Sequence, residues 1–124
     1  MAVKDSVRAI EMASFDTAEL EPAAWQAITP AGGLPHSCFF ISIKNMSNRT
    51  VTVSYDETNI HDIVPTMAGQ LIDNNSILDL DFQSNSSPNN QTALLPKGTV
   101  ISLRGAVDGT GLIYLSGYYQ EEMA

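Results

Sequence analysis

The chain has 124 residues and a formal charge of −8 from 14 acidic and 6 basic side chains, and 44% of its residues are hydrophobic. That length supports one domain around one core, and the acidic balance, with no stripe of Lys and Arg, argues against nucleic acid or an anionic membrane surface as partner. No apolar run approaches the ~20 residues of a spanning helix, and "MAVKDSVRAIEMASFD" lacks the apolar centre of a signal peptide, so synthesis in a cytoplasm is expected.

Along the chain, apolar residues recur with period two, the mark of strands. "SVRAIEMASFDT" alternates as a first strand. "AELEPAAWQAITPAGGLPHS" is broken by Pro22, Pro30, Pro35 and a Gly pair, and is expected to be an extended arm or long connection. In "CFFISIKN", Phe39, Ile41 and Ile43 share one face, and Phe40, Ser42 and Lys44 the other. "NMSNRT" is a turn by composition, after which Val51, Val53 and Tyr55 point inward and Thr52, Ser54 and Asp56 outward, so the two strands are expected to pair as a hairpin. "NIHDIVP" forms a short strand or edge closed by Pro65, and "MAGQLIDNN" brings another apolar pair. In "SILDLDFQS", Leu78, Leu80 and Phe82 oppose Ile77, Asp79 and Asp81.

"SNSSPNNQ" reads as a polar loop and Pro96-Lys97-Gly98 as a turn. Val100 to Arg104 then form a strand, and "AVDGTG" carries an Asp-Gly hairpin signal. "LIYLSGYYQ" ends the pattern with Leu112, Tyr114, Ser116 and Tyr118 on one side. About eight short strands joined by Gly, Pro and Asn turns define an all-β protein, a single jelly-roll-like β-sandwich. The expected division is an N-terminal strand and arm over 1–37, a sandwich core over 38–120 and a tail over 121–124.

Three groups of residues invite a chemical reading. Asp56, Glu57, His61 and Asp62 cluster in sequence, but successive residues diverge on a strand, and neither the regular Asp spacing of a calcium loop nor a zinc ligand set is present. A turn is expected, with Asp56 and Asp62 accepting from backbone donors and His61 on the rim. Cys38, the single cysteine, has the place of a strand residue and reads as a structural thiol; a nucleophilic role needs a histidine, with His36 and His61 as the candidates. Asp79 and Asp81 share a strand face as glycosidase carboxylates can, yet alternating Asp on a solvated face also blocks edge pairing. No nucleophile elbow, phosphate loop or zinc-protease helix occurs. The expectation is a protein without enzymatic activity, cofactor or metal. Asn-x-Ser/Thr triplets at Asn45, Asn48, Asn74, Asn85 and Asn90 read as turn-rich composition.

The run "CFFISIKNMSNRTVTVSYDETNIHDIVP" followed by "LDFQSNSSPNNQTALLPKGTVISLRGAVDGTGLIYLSGYYQ", over residues 38 to 120, resembles small virion structural proteins of tailed bacteriophages. The features that carry the likeness are "VSYD…HDIVP", "LDFQSN", "LPKGT" and "GTGLIYLSGYY". The resemblance implies a capsid cement or decoration protein, a β-sandwich bound to the outside of a phage head as a dimer or trimer. Its implied partners are the major capsid protein and copies of itself, and its place is the virion. A neck, tail or head-fibre component, and a sugar- or receptor-binding module with exposed aromatics, are the alternatives. Attachment by contact needs aromatic anchors, and Phe15, Leu20, Trp25, Tyr118 and Tyr119 are the candidates.

Overall fold

The computed structural model describes residues 7–66, 76–82 and 94–120. Among these are nine strands: β1 (Val7–Ala9), β2 (Ala13–Asp16), β3 (Gln26–Ala27), β4 (Phe40–Ser47), β5 (Val51–Ser54), β6 (Asp62–Val64), β7 (Ile77–Asp81), β8 (Ser102–Gly105) and β9 (Gly111–Gln120). One 3₁₀ turn, Thr17–Glu19, follows β2, and Asp16 accepts from the Ala18 amide at its start. The first sheet runs β1-β9-β4-β7, with β2 also paired to β9, and the second runs β3-β8-β5-β6. All the pairings are antiparallel. The fold is therefore all-β, two antiparallel sheets of a β-sandwich.

Strict alternation fills the space between the sheets. Ile41 and Ile43 of β4 lie opposite Gly117 and Leu115 of β9, and Val51 and Val53 of β5 opposite Gly105 and Leu103 of β8. Ile41, Ile43, Leu115, Val51, Val53 and Leu103 are fully buried, as are Ile101, Ile113 and Val64. Gly117 is small for a reason: a Cβ there would stand 2.9 Å from Ile41 Cδ1 and 3.1 Å from Ile10 Cδ1. The expected faces of β4 and β9 hold. On β7, Leu78 and Leu80 turn inward but stay half-buried, while Ile77, Asp79 and Asp81 are exposed. On β5 the inward residues are as expected, but Ser54 is fully buried and donates to Asp56 Oδ1 at 2.9 Å.

Two expected hairpins are not hairpins. β4 belongs to the first sheet and β5 to the second, so the turn at 48–50 crosses the sandwich. The Asp-Gly turn likewise carries the chain from β8 in the second sheet to β9 in the first. The two crossings run side by side. Asn48 N–H donates to Thr110 O at 3.0 Å, and Thr110 N–H to Asn48 Oδ1 at 2.8 Å. Turn composition specifies a reversal of direction, whereas the choice of sheet depends on partners far away in sequence. The turn at Pro96–Thr99 does form, closed by Thr99 N–H on Pro96 O at 3.1 Å with Gly98 at φ 89°.

The first strand expected in "SVRAIEMASFDT" forms, as two pieces, β1 and β2, both paired with β9. The arm expected after it is corrected by the same topology: its residues supply β3, which pairs with β8, and Leu20, Ile28 and Leu34 lie in the core. The boundary expected at 37/38 does not divide the structure. Proline and glycine break the strands into short pieces without freeing the segment from the sheets. Gly33, at φ 86°, lets the chain pass so near the Pro96–Thr99 turn that a Cβ would meet Gly98 O at 2.3 Å, while Leu34 N–H bonds Thr99 O at 2.9 Å and Gly98 N–H bonds Leu34 O at 2.8 Å. The expected apolar pair in "MAGQLIDNN", the loop "SNSSPNNQ", the tail 121–124 and the triplets at Asn74, Asn85 and Asn90 lie outside the described residues.

Polar residues are buried among these apolar ones, Asn45 and Ser47 of β4 among them. Asn45, on the inward face of β4, is fully buried. Its Nδ2 donates to Arg49 O at 2.7 Å, Val64 O at 3.1 Å and Pro65 O at 3.3 Å, and its Oδ1 accepts from Ser47 N–H at 3.1 Å and Ser47 Oγ at 2.5 Å. It thus ties a strand of the first sheet to the end of β6 in the second.

Candidate functional site

The acidic cluster after β5 is a self-satisfied turn. Asp56 Oδ1 accepts from the Thr58 and Asn59 amides, both at 2.9 Å, and Oδ2 from Asn59 Nδ2 at 2.9 Å. The amides of Asn59 and Thr58, then the Asn59 side chain, hold the Asp56 carboxyl well below the usual carboxylate range. Glu57 takes a left-handed φ of 61° at the tip. His61 Nδ1 accepts the Tyr55 amide at 3.1 Å, its ring stacks on Tyr55 with centroids 5.4 Å apart, and its Nε2 lies 3.8 Å from Asp56 Oδ2. Asp62 departs from expectation, since it accepts from the Tyr55 hydroxyl at 2.7 Å instead of capping backbone. Burial, then that carboxylate, pushes the Tyr55 hydroxyl far above its ordinary range. Among the described residues no three His, Cys, Asp or Glu side chains converge as a metal site.

Cys38 is fully buried, its Sγ 3.4 Å from His36 O, and burial pushes the thiol up. The His36 ring lies flat on Tyr119, with centroids 3.8 Å apart and planes at 7°. Among the described residues no ring nitrogen of His36 or His61 is hydrogen-bonded to the Cys38 thiol. Asp79 accepts from Ser42 Oγ at 2.7 Å, and Lys44 Nζ donates to the same Ser42 Oγ at 2.9 Å, forming a bonded row across β7 and β4.

The five candidate anchors divide. Leu20 is 1% exposed and belongs to the core, so it cannot meet a partner. Phe15 and Tyr119 are half-buried and pack on the same core. Trp25 is half-buried beside the second sheet, with the Arg104 guanidinium 4.3 Å over its ring. Tyr118 alone is exposed, at 39%.

Tyr118 stands on the outer face of the first sheet, where the register assembles a surface that single strands do not reveal. Phe40 lies between Tyr118 and Asp81, Ser42 between Ser116 and Asp79, and Lys44 between Tyr114 and Ile77, while Met46 faces Leu112. Val7 of β1, Ile77, Met46 and Tyr118, all on this face, are exposed apolar or aromatic side chains. The Phe40 and Tyr118 rings meet at 5.9 Å and 56°. In the sequence Phe40 shares a face with Lys44 and Tyr114 with Tyr118, each pair on its own strand, but nothing there marks Phe40, Tyr114, Met46 or Ile77 as site residues. The signal was the apolar content of faces whose partners were not yet known.

No family model matches the chain, and neither a curated protein nor a solved structure matches it. Among the described residues no helix is long and apolar enough to cross a membrane.

Proposed function

We propose that the protein is a non-enzymatic virion structural protein of a tailed phage, a decoration protein that stabilises the head by binding across capsid subunits at the shell surface. The observation that carries this reading is the outer face of the first sheet, where Tyr118 and Val7 at one end and Met46 and Ile77 at the other are exposed on paired strands, on either side of the polar Ser116–Ser42–Asp79 row. Exposed apolar side chains gathered on one face mark an interaction surface more often than they occur by chance. Function by contact requires area and a rigid frame, and two sheets locked by Asn45 supply the frame.

The strand orders add support. The orders (β1, β2)-β9-β4-β7 and β3-β8-β5-β6 send successive strands to and fro between sheets as a jelly roll does, a wiring found in capsid and lectin domains. Fold alone assigns no function, so the binding test decides. Empty shells assembled from the major capsid protein encoded in the same genome are mixed with the purified protein and pelleted. Saturable co-sedimentation and a raised shell melting temperature are expected; a protein that stays in the supernatant removes the decoration reading.

A further inference from the structure

We propose that the outer face of the first sheet is the docking surface, and that its occupant is a cationic polypeptide surface, one bearing Lys or Arg, instead of a second copy of this chain. The proposal rests on the decoration reading and names the face and the partner chemistry.

Area selects the face. At about 3.4 Å per residue and about 4.8 Å between strands, the strands of the first sheet present a flat area of about 500 Å², and those of the second about 200 Å². Side-chain relief raises the first toward the about 800 Å² per partner of a standard interface, and leaves the second well short. The difference comes from the eight residues of β4 and the ten of β9, against four or fewer in each strand of the second sheet. The second sheet's outer side also has its large aromatic engaged, with Arg104 over Trp25.

Charge selects the occupant. Asp79 and Asp81 flank the Phe40–Tyr118 pair from β7, and Asp16 lies at the far end opposite Leu112. The one lysine in the middle of these strands, Lys44, is bonded into the Ser42–Asp79 row. The face is therefore acidic on a chain whose total charge is −8. A two-fold dimer through it would set the patch against itself, carboxylates included, which like-charge repulsion disfavours. A surface of opposite sign gains from the same carboxylates while it covers the Phe40–Tyr118 pair at the end of the face where Asp81 stands.

The test uses the same shells, with variants first shown by thermal melting to keep their fold. Tyr118→Ala, and Asp79→Asn with Asp81→Asn together, should each weaken shell binding by about tenfold or more. Ile63→Ser, on the exposed outer side of the second sheet, should leave it unchanged. Wild-type affinity should fall about tenfold or more between about 50 and about 500 mM salt. Loss with Ile63→Ser and retention with Tyr118→Ala overturns the face. Equal or tighter binding by the double Asn variant overturns the cationic partner. A concentration-dependent dimer in sedimentation that Tyr118→Ala dissociates overturns the choice of occupant. Wild-type protein that never binds shells removes the decoration reading and this inference with it, whereas binding indifferent to every substitution on this face removes only the inference.

Discussion

Replacing Asn45 tests whether a buried amide holds the two sheets in register. In Asn45→Ala, Val64 O and Ser47 N–H lose their side-chain partner in buried surroundings, while Arg49 O lies where water can reach it. Each stranded buried group costs about 1–3 kcal/mol, so two give an expected loss of about 2–6 kcal/mol. Asn45→Asp keeps the shape but puts a carboxylate oxygen where Nδ2 stands, facing the carbonyls of Arg49, Val64 and Pro65. At pH 7 it should cost more than the alanine. The introduced carboxyl has its folded pKa raised above the unfolded value of about 3.9. The charge-dependent part of its deficit is therefore absent below that value, and grows by about 1.4 kcal/mol per pH unit as pH rises toward the folded pKa. Urea denaturation followed by the fluorescence of Trp25, the single tryptophan, measures both variants at pH 4 and pH 7. An Asn45→Asp protein within about 0.5 kcal/mol of wild type at pH 7, a change no larger than that of an ordinary surface substitution, would refute the reasoning.

Gly33→Ala should destabilise by more than about 2 kcal/mol, because it adds a left-handed φ to a Cβ placed 2.3 Å from Gly98 O; a melting temperature near that of wild type would show that the segment yields. Deleting residues 1 to 34 removes β2, β3 and the core residues Leu20 and Ile28, so circular dichroism should show an unfolded chain; a folded product would restore the attachment arm. The Asp56 carboxyl is held below its usual range, so its contribution to stability is fully present above about pH 4 and is lost as pH falls through the lower folded value. Asp56→Asn should therefore flatten the acid limb of a melting-temperature profile, and an unchanged limb would assign acid sensitivity elsewhere. Cys38 should react with a thiol reagent only as fast as the fold opens, since it is fully buried and its thiol is pushed up; rapid labelling of the native protein would place it at the surface.

The all-β class and the strand faces were legible in the sequence. Period two in "CFFISIKN" and "LIYLSGYYQ" correctly divides inward Ile41 and Ile43 from outward Ser42 and Lys44, and Leu112, Tyr114, Ser116 and Tyr118 from Ile113 and Leu115, because alternation is a local property of a pleated strand. The turn at Asp56 was legible for the same reason, its amide acceptors lying two and three residues away. Which strands meet was not legible there. The same hairpin-like turn chemistry serves a return within a sheet, as from β5 to β6, and a crossing between sheets, as from β4 to β5. Leu20, Ile28 and Leu34 carry no periodicity that marks them as core, and are buried because β8 and β9 offer them partners some 70 to 100 residues further along. The candidate site follows the same rule: Phe40, Tyr118 and Asp81 belong to three strands, and pairing in register, a long-range property that no window of the chain contains, brings them side by side.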